Sequence, residues 1–380
     1  MNKIYLFTAA FAVMASLSGC SDTELASIET AQEKTPIGFH TVGSQMGSRA
    51  TIINSGDITK TDFKVYAFDD AGNAFMGNND TDEDEMAHNG VHIKYDNANS
   101  AWTYANPSDL RYWPDSKLDF YAVSPGTVAE EQLKLHYNWK INIDKQTITY
   151  TSFDEYGSSN SHQNLDVMYA VAKEQTKANG KVNLPFKHIL SQVLFKAKTN
   201  DNKMEVEING MKFYNFQVGG TFTIPEGEPK STDWTQTGST KFRVNVGMDG
   251  AKTVTNTSTE IITKPMLFVP QTLIAWVPSN ETKTDADNAT PAHSYLEISC
   301  RIKQNGSYLF GKTDYESLYV PFSATWDPGK RYVYTLIFGG GYDKDGKPVL
   351  TRVNFTASAD DWTPDEGNST NGNDKETQIP

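Results

Sequence analysis

From about residue 36 to residue 355 the chain is dominated by apolar and polar positions that alternate with a period of two, broken by clusters of Asp, Asn, Gly, Ser and Pro. Phe63-Lys64-Val65-Tyr66-Ala67-Phe68 reads as a strand, and Asp69-Asp70-Ala71-Gly72-Asn73 as the turn that ends it. Val91, Ile93 and Tyr95 alternate up to Asp96-Asn97-Ala98-Asn99-Ser100, and Trp102 and Tyr104 resume beyond it, which predicts a hairpin. Leu118, Phe120 and Ala122 make one face of another strand, with Tyr121 and Val123 on the other, closed by Ser124-Pro125-Gly126. Val167, Tyr169 and Val171 line a further one.

The same period returns in Val193, Phe195 and Ala197, in Phe213, in Phe216-Gln217-Val218 up to Gly219-Gly220, and in Phe222 and Ile224. Phe242, Val244 and Val246 follow, then Met266-Leu267-Phe268-Val269 stopped by Pro270, then Tyr332, Tyr334, Leu336 and Phe338, and last Val353 and Phe355. With no sustained 3.6-residue pattern, the expected class is all-β. One segment, Leu184 to Leu194, carries a helical stripe through Phe186, Ile189, Leu190 and Val193 yet runs straight into the β pattern; it reads as a short turn feeding a strand.

A chain of 380 residues exceeds one ordinary core. The polar stretch from Lys173 to Lys181 reads as a boundary between an N-terminal β-sandwich, 36–178, and a C-terminal one, 179–364, followed by a polar tail, 365–380. Two sandwiches in series are the economical architecture.

The first residues do not belong to either. Met1-Asn2-Lys3 leads into an apolar stretch from Ile4 to Leu17 that closes on Leu17-Ser18-Gly19-Cys20, a secretion signal over 1–19 with no Ala-x-Ala site. The end resembles the lipobox of bacterial lipoproteins, in which Cys20 becomes the lipidated first residue, with 20–35 as linker. Ser21-Asp22-Thr23-Glu24 resembles the export tag of surface lipoproteins of Gram-negative anaerobes, so the expected address is the outer face of the outer membrane. A formal charge of −13 and scattered Lys and Arg argue against nucleic acid as a partner. With Cys20 lipidated, Cys300 has no disulfide partner, and its place in Leu296, Ile298, Cys300, Ile302 makes it a buried strand thiol.

Catalytic patterns are sparse. Of the seven histidines only His88 and His92 are close, and neither a HExxH run, a Gly-x-Ser-x-Gly elbow nor a Gly-rich phosphate loop is present. Asp80, Asp82, Glu83, Asp84 and Glu85 lack the spacing of a calcium loop and read as a solvated loop. No metal, cofactor or enzymatic activity is expected. Trp102, Tyr112, Trp113, Trp139, Trp234, Trp276, Trp326 and Trp362 are the rings a sugar-binding platform would draw on, although each is more often a core residue; Tyr112-Trp113-Pro114 is expected to pack beneath the strand that follows.

Arg111-Tyr112-Trp113-Pro114, Leu118-Asp119-Phe120-Tyr121-Ala122, Asp166-Val167-Met168-Tyr169-Ala170, the run from Leu184 to Val193 and Trp326-Asp327-Pro328-Gly329-Lys330-Arg331-Tyr332-Val333-Tyr334 occur in order behind a lipobox. In this the chain resembles the fimbrillin superfamily of Gram-negative anaerobes, lipoprotein pilins built of two transthyretin-like β-sandwich domains. The resemblance implies a precursor that is lipidated, exported and cut after an arginine near its N-terminus by an arginine-specific protease. The cut removes the anchor and the first strand, and a strand of a neighbouring subunit fills the groove by β-augmentation.

On this chain Pro36-Ile37-Gly38-Phe39-His40-Thr41-Val42 is the expected first strand, with Ile37 and Phe39 inward, and Arg49 in Gly43 to Thr51 the expected cleavage point, so that the mature subunit starts at Ala50. The other reading of Arg49 is a solvated loop residue that is never cut. After Trp362 the tail has only Ile379 to offer a core slot. Either the donor strand lies around Leu350 to Ala359, or the subunit accepts a strand and donates none, as a tip or accessory subunit would. The expected function is therefore a structural or adhesive fimbrial subunit meeting other subunits, the export and lipidation machinery, and host or surface glycans or proteins. The rival is a surface glycan-binding lipoprotein that does not polymerise.

Overall fold

In β2 (Asp62–Asp69) Phe63, Val65 and Ala67 enter one apolar core while Tyr66 and Phe68 enter another. β6 (Leu118–Ser124) divides in the same way, Leu118, Phe120 and Ala122 against Tyr121 and Val123. These two strands are the middle of an eight-stranded sheet with the order β1 (Phe39–Gly43), β10 (Val182–His188), β9 (Met168–Gln175), β6, β2, β4 (Val91–Asp96) and β5 (Ala101–Tyr104), and with β3 (Ala74–Met76) also on β2. Strands covered on both faces lose strict alternation and become continuous apolar runs, as in Met168-Tyr169-Ala170, all buried. Neighbours pair antiparallel except β1 and β10, which are parallel.

The computed structural model describes residues 34–43, 58–81, 88–129, 138–151, 165–237, 240–339, 341–350 and 354–361, and among them the one α-helix is the short Lys283–Asn288. Residues from Thr35 onward cluster as one unit. The protein is all-β, as its alternation predicts.

One face of the eight-stranded sheet meets a four-stranded sheet ordered β14 (Trp234–Gln236), β13 (Gly220–Thr223), β8 (Thr147–Thr151), β7 (Asn138–Asn142). Trp139, Ile148, Tyr150, Phe222 and Trp234 from the small sheet pack with Tyr66, Tyr121, Val123 and Tyr169 from the large one. The expected boundary at 178/179 falls between β9 and β10, which are hydrogen-bonded to each other, and the small sheet takes two strands from each side of it.

Most of the remaining strands build a second pair of sheets. One is ordered β17 (Thr259–Glu260), β11 (Ser191–Thr199), β24 (Lys330–Phe338), β27 (Asn354–Asp361), with β18 (Met266–Phe268) also on β11. The other is ordered β15 (Arg243–Asn245), β12 (Met204–Tyr214), β20 (Tyr295–Gln304), β22 (Glu316–Pro321), β25 (Gly341–Tyr342), β26 (Pro348–Leu350). Phe195, Phe213, Phe268, Ile298, Trp326 and Leu336 lie in the core they share. Cys300 is in it too, fully buried, and burial pushes its thiol up to about 12, which leaves it an inert apolar group.

The segment from Leu184 to Leu194 is two strands with a corner between them, not a turn feeding one strand. Phe186, near the end of β10, lies in one core, Ile189 and Leu190 fill the corner in the second, and Val193, near the start of β11, lies in the third. The stripe at helical spacing comes from three successive cores, each taking its own apolar residues.

At the start of β2, Asp62 ties three segments together. His92 Nε2 lies 2.6 Å from its carboxylate, Thr127 Oγ1 donates at 2.6 Å and the Gly126 amide at 2.9 Å. Burial raises the carboxyl pKa, but the hydrogen bonds from His92 and Thr127 outweigh it and hold the group below the usual aspartate value. A carboxyl lowered in the folded state stabilises above its unfolded value, about 3.9, and loses that contribution as pH falls through the folded one. Stability should therefore begin to fall as the pH drops below about 4, and Asp62→Asn should flatten that slope in urea titrations; an unchanged slope would remove Asp62 from the account.

Candidate functional site

The edge strand β1 is held differently on its two sides. Toward β10 it has a parallel ladder, Phe39 opposite Val182 through Gly43 opposite Phe186. The ladder of β10 with β9 covers only Lys187 and His188, so β1 is the ladder partner of Val182 to Phe186. Toward the far end of the same sheet, β5 comes round to meet β1 through side chains: Trp102 Nε1 donates to Thr41 Oγ1 at 3.0 Å, and the Tyr104 hydroxyl donates to the Ile37 carbonyl at 3.0 Å. Burial pushes the Tyr104 phenol up to about 12, so it remains a donor at any ordinary pH.

Upstream of β1 the chain makes a second, antiparallel contact. Ile37 N donates to Arg111 O at 2.8 Å and Trp113 N to Thr35 O at 3.0 Å, around a bridge between Pro36 and Tyr112. Residues 35–43 thus bind first against 111–113 and then along β10.

The strand's side chains alternate as a half-buried strand requires. Ile37 and Phe39 are buried, at 1% and 3% exposure, while His40 between Phe39 and Thr41 is exposed. The Phe39 ring sits among Phe63, Tyr104 and Phe120, with centroids 6.2, 6.0 and 6.2 Å away. With Val65, Ile93, Leu118, Val182, Leu184 and Phe186 these make one apolar core, and β1 is the wedge that closes it.

Sequence alternation singles out Ile37 and Phe39; it does not show that Trp102 and Tyr104 close the slot, or that Arg111 to Trp113 hold the approach to it. Cys20, Arg49 and Ala50 lie outside the described residues. So do residues 82–87 of the acidic run, whereas Asp80 is interior: its carboxylate accepts from the Tyr66 hydroxyl at 2.9 Å, from Asn89 N at 2.8 Å and from Ile141 N at 3.2 Å, with His88 Nδ1 at 3.2 Å. His88 and His92 serve different carboxylates, Asp80 and Asp62. Among the described residues no group of His, Cys, Asp and Glu side chains converges as a metal site would.

The rings proposed for a sugar platform are mostly spent inside. Trp113, Trp139, Trp234, Trp276 and Trp326 are buried and Trp102 is half-buried; Trp362 lies outside the described residues. Trp113 packs beneath the following strand as expected, but Tyr112 does not: it is 42% exposed, because adjacent residues of an extended segment face opposite ways. Of the stretch suggested as a donor, Leu350 to Ala359, the part from Asn354 onward is engaged in the chain's own fold, since β27 pairs with β24 from Asn354 opposite Ile337 to Asp361 opposite Lys330.

Comparison with known proteins places this fold. A fimbrial protein from Bacteroides vulgatus has a similar structure, with a TM-score of 0.53 at 16% identity over 86% of this chain and 99% of that one. The tip fimbrial protein Mfa3 from Porphyromonas gingivalis, with C-terminal truncation, aligns at a TM-score of 0.39 and 12% identity over 83% of this chain and 98% of that one. No curated protein sequence matches the chain. The fimbrillin-like family model matches residues 48–362, nearly the whole span of sheets described above, and the chain therefore belongs to the fimbrillin-like family.

Proposed function

We propose that the protein is a surface fimbrial subunit, structural or adhesive rather than enzymatic, whose first strand is removed by proteolysis and replaced by a strand of a neighbouring subunit. The observation that carries this reading is the hold on residues 35–43: a ladder on one side of β1 only, two side-chain hydrogen bonds on the other, and upstream a single bridge with two main-chain bonds to residues 111–113. Such a strand can leave without breaking a second ladder. Its departure strips Val182 to Phe186 of the pairing β1 gave them and opens the core to water at the places of Ile37 and Phe39. Burial of those two side chains is worth about 1.5 to 3 kcal/mol each, so the open slot has a strong demand for a replacement.

Arg49 follows β1 by a few residues, and a cut after it would release Cys20 to Arg49 with its lipid and start the mature subunit at Ala50. The precursor is then an outer-membrane lipoprotein and the product part of a fimbrium. The reading includes two sandwiches, with β10, β13 and β14 from beyond residue 179 completing the first. Because β27 is occupied and residues 362–380 carry no alternating apolar run, these residues offer no donor strand, and an acceptor role at a tip or accessory position is the reading they support.

The test is to produce Ser21 to Pro380 without lipid, treat it with an arginine-specific protease, and follow the new N-terminus and the oligomer size in unheated detergent gels. Cleavage at Ala50 without a ladder is the expected result. A ladder of the protein alone would overturn the acceptor-only role, and an Arg49 that resists the protease would overturn the processing.

A further inference from the structure

Three groups on the wall of the slot touch β1 in different ways. The Phe39 ring fills an aromatic cage of Phe63, Tyr104 and Phe120, which asks for a large flat side chain. The Tyr104 hydroxyl bonds a main-chain carbonyl, that of Ile37, which any residue would supply. Trp102 is the group that meets a polar side chain, and its indole N–H can only donate.

That N–H is fixed in place. The Trp102 ring packs against both Phe63, at 4.7 Å between centroids, and Tyr95, at 5.2 Å, contacts that restrict the indole from turning its N–H to another acceptor. A strand seated with an apolar side chain at the Thr41 position would leave a part-buried donor without its bond.

Resting on the strand-exchange reading above, we infer that Trp102 reads the incoming strand: the slot takes a segment of the form aliphatic, any, aromatic, any, Ser or Thr, entering parallel to β10, with the hydroxyl accepting from Trp102 Nε1. The chain's own last strand is a poor match. With Phe355 placed where Phe39 sits, Val353 falls at the Ile37 position and Ala357 at the Thr41 position, where no acceptor is offered. The partner is accordingly a strand from a different polypeptide carrying Ser or Thr two residues after its aromatic wedge, and a second copy of this chain is selected against.

The test uses the full chain with a specific protease site built into 44–57, folded and then cut so that the N-terminal fragment remains seated. Synthetic peptides compete for the slot, and release of the labelled fragment is measured. Peptide 35–43 and its Thr41→Ser form should displace the fragment at similar concentrations. The Thr41→Val form should need about tenfold more, the cost of one unmade hydrogen bond to a part-buried donor, and peptide 351–359 at least as much. In the Trp102→Phe chain the difference between peptide 35–43 and its Thr41→Val form should vanish. Equal displacement by the Thr41→Val peptide on the unmodified chain overturns the reading by Trp102 while leaving strand exchange intact. If not even peptide 35–43 displaces the fragment, exchange itself fails and this inference with it.

Discussion

Replacing Phe39 by alanine should cost about 3 to 5 kcal/mol of the stability of the first core, the range for deleting a buried aromatic ring. The site has no easy way to collapse. Phe63, Phe120 and Phe186 stand on β2, β6 and β10, all pinned in one sheet, so a void at Phe39 stays largely open. In the intact chain the loss should show as faster amide exchange in β1 and in Val182 to Phe186. In a chain cut between β1 and β2 the same loss should lower the affinity of the N-terminal fragment by a hundredfold or more, since each 1.4 kcal/mol is a factor of ten. A Phe39→Ala fragment retained as firmly as the unmodified one would show that the ladder and not the wedge holds the strand.

Trp326→Ala should lower stability by a similar about 3 to 5 kcal/mol and leave the slot alone. Trp326 is fully buried in the core between β11 and β20, packs against Phe268 at 4.8 Å between ring centroids, and donates from Nε1 to the Tyr334 hydroxyl at 2.8 Å. The substitution removes both the ring and that bond. Retention of the cut fragment should be unchanged, because Trp326 belongs to a core that contains no residue of β1. If fragment retention falls as well, the cores unfold as one cooperative unit and the slot is not a local device.

Much of the strand pattern is legible because alternation reports burial directly. β2, the β4–β5 hairpin, β6, β20 and β24 all lie where the apolar positions put them. What alternation does not carry is partnership. The stretch from Lys173 to Lys181 is polar because it is exposed, which says nothing about which sheet the next strand joins; β10 turns back onto β9 instead of opening a new body. Ile37 and Phe39 could be chosen from the sequence because they are two residues apart, whereas Trp102 and Thr41 are 61 residues apart and meet only once the sheet has curled. Tyr112 is the opposite case: alternation beside the buried Trp113 already turns it outward.

If strands exchange in this slot, the parallel register of β1 on β10 also sets the heading of the strand that enters. Parallel and antiparallel ladders offer different patterns of N–H and C=O, so a strand that enters reversed cannot reproduce the bonds of Phe39 to Gly43. A partner strand seated in this slot would therefore lie in one heading only. An assembly capped by this chain would have two unlike ends, and an acceptor that donates nothing would stop growth at one of them.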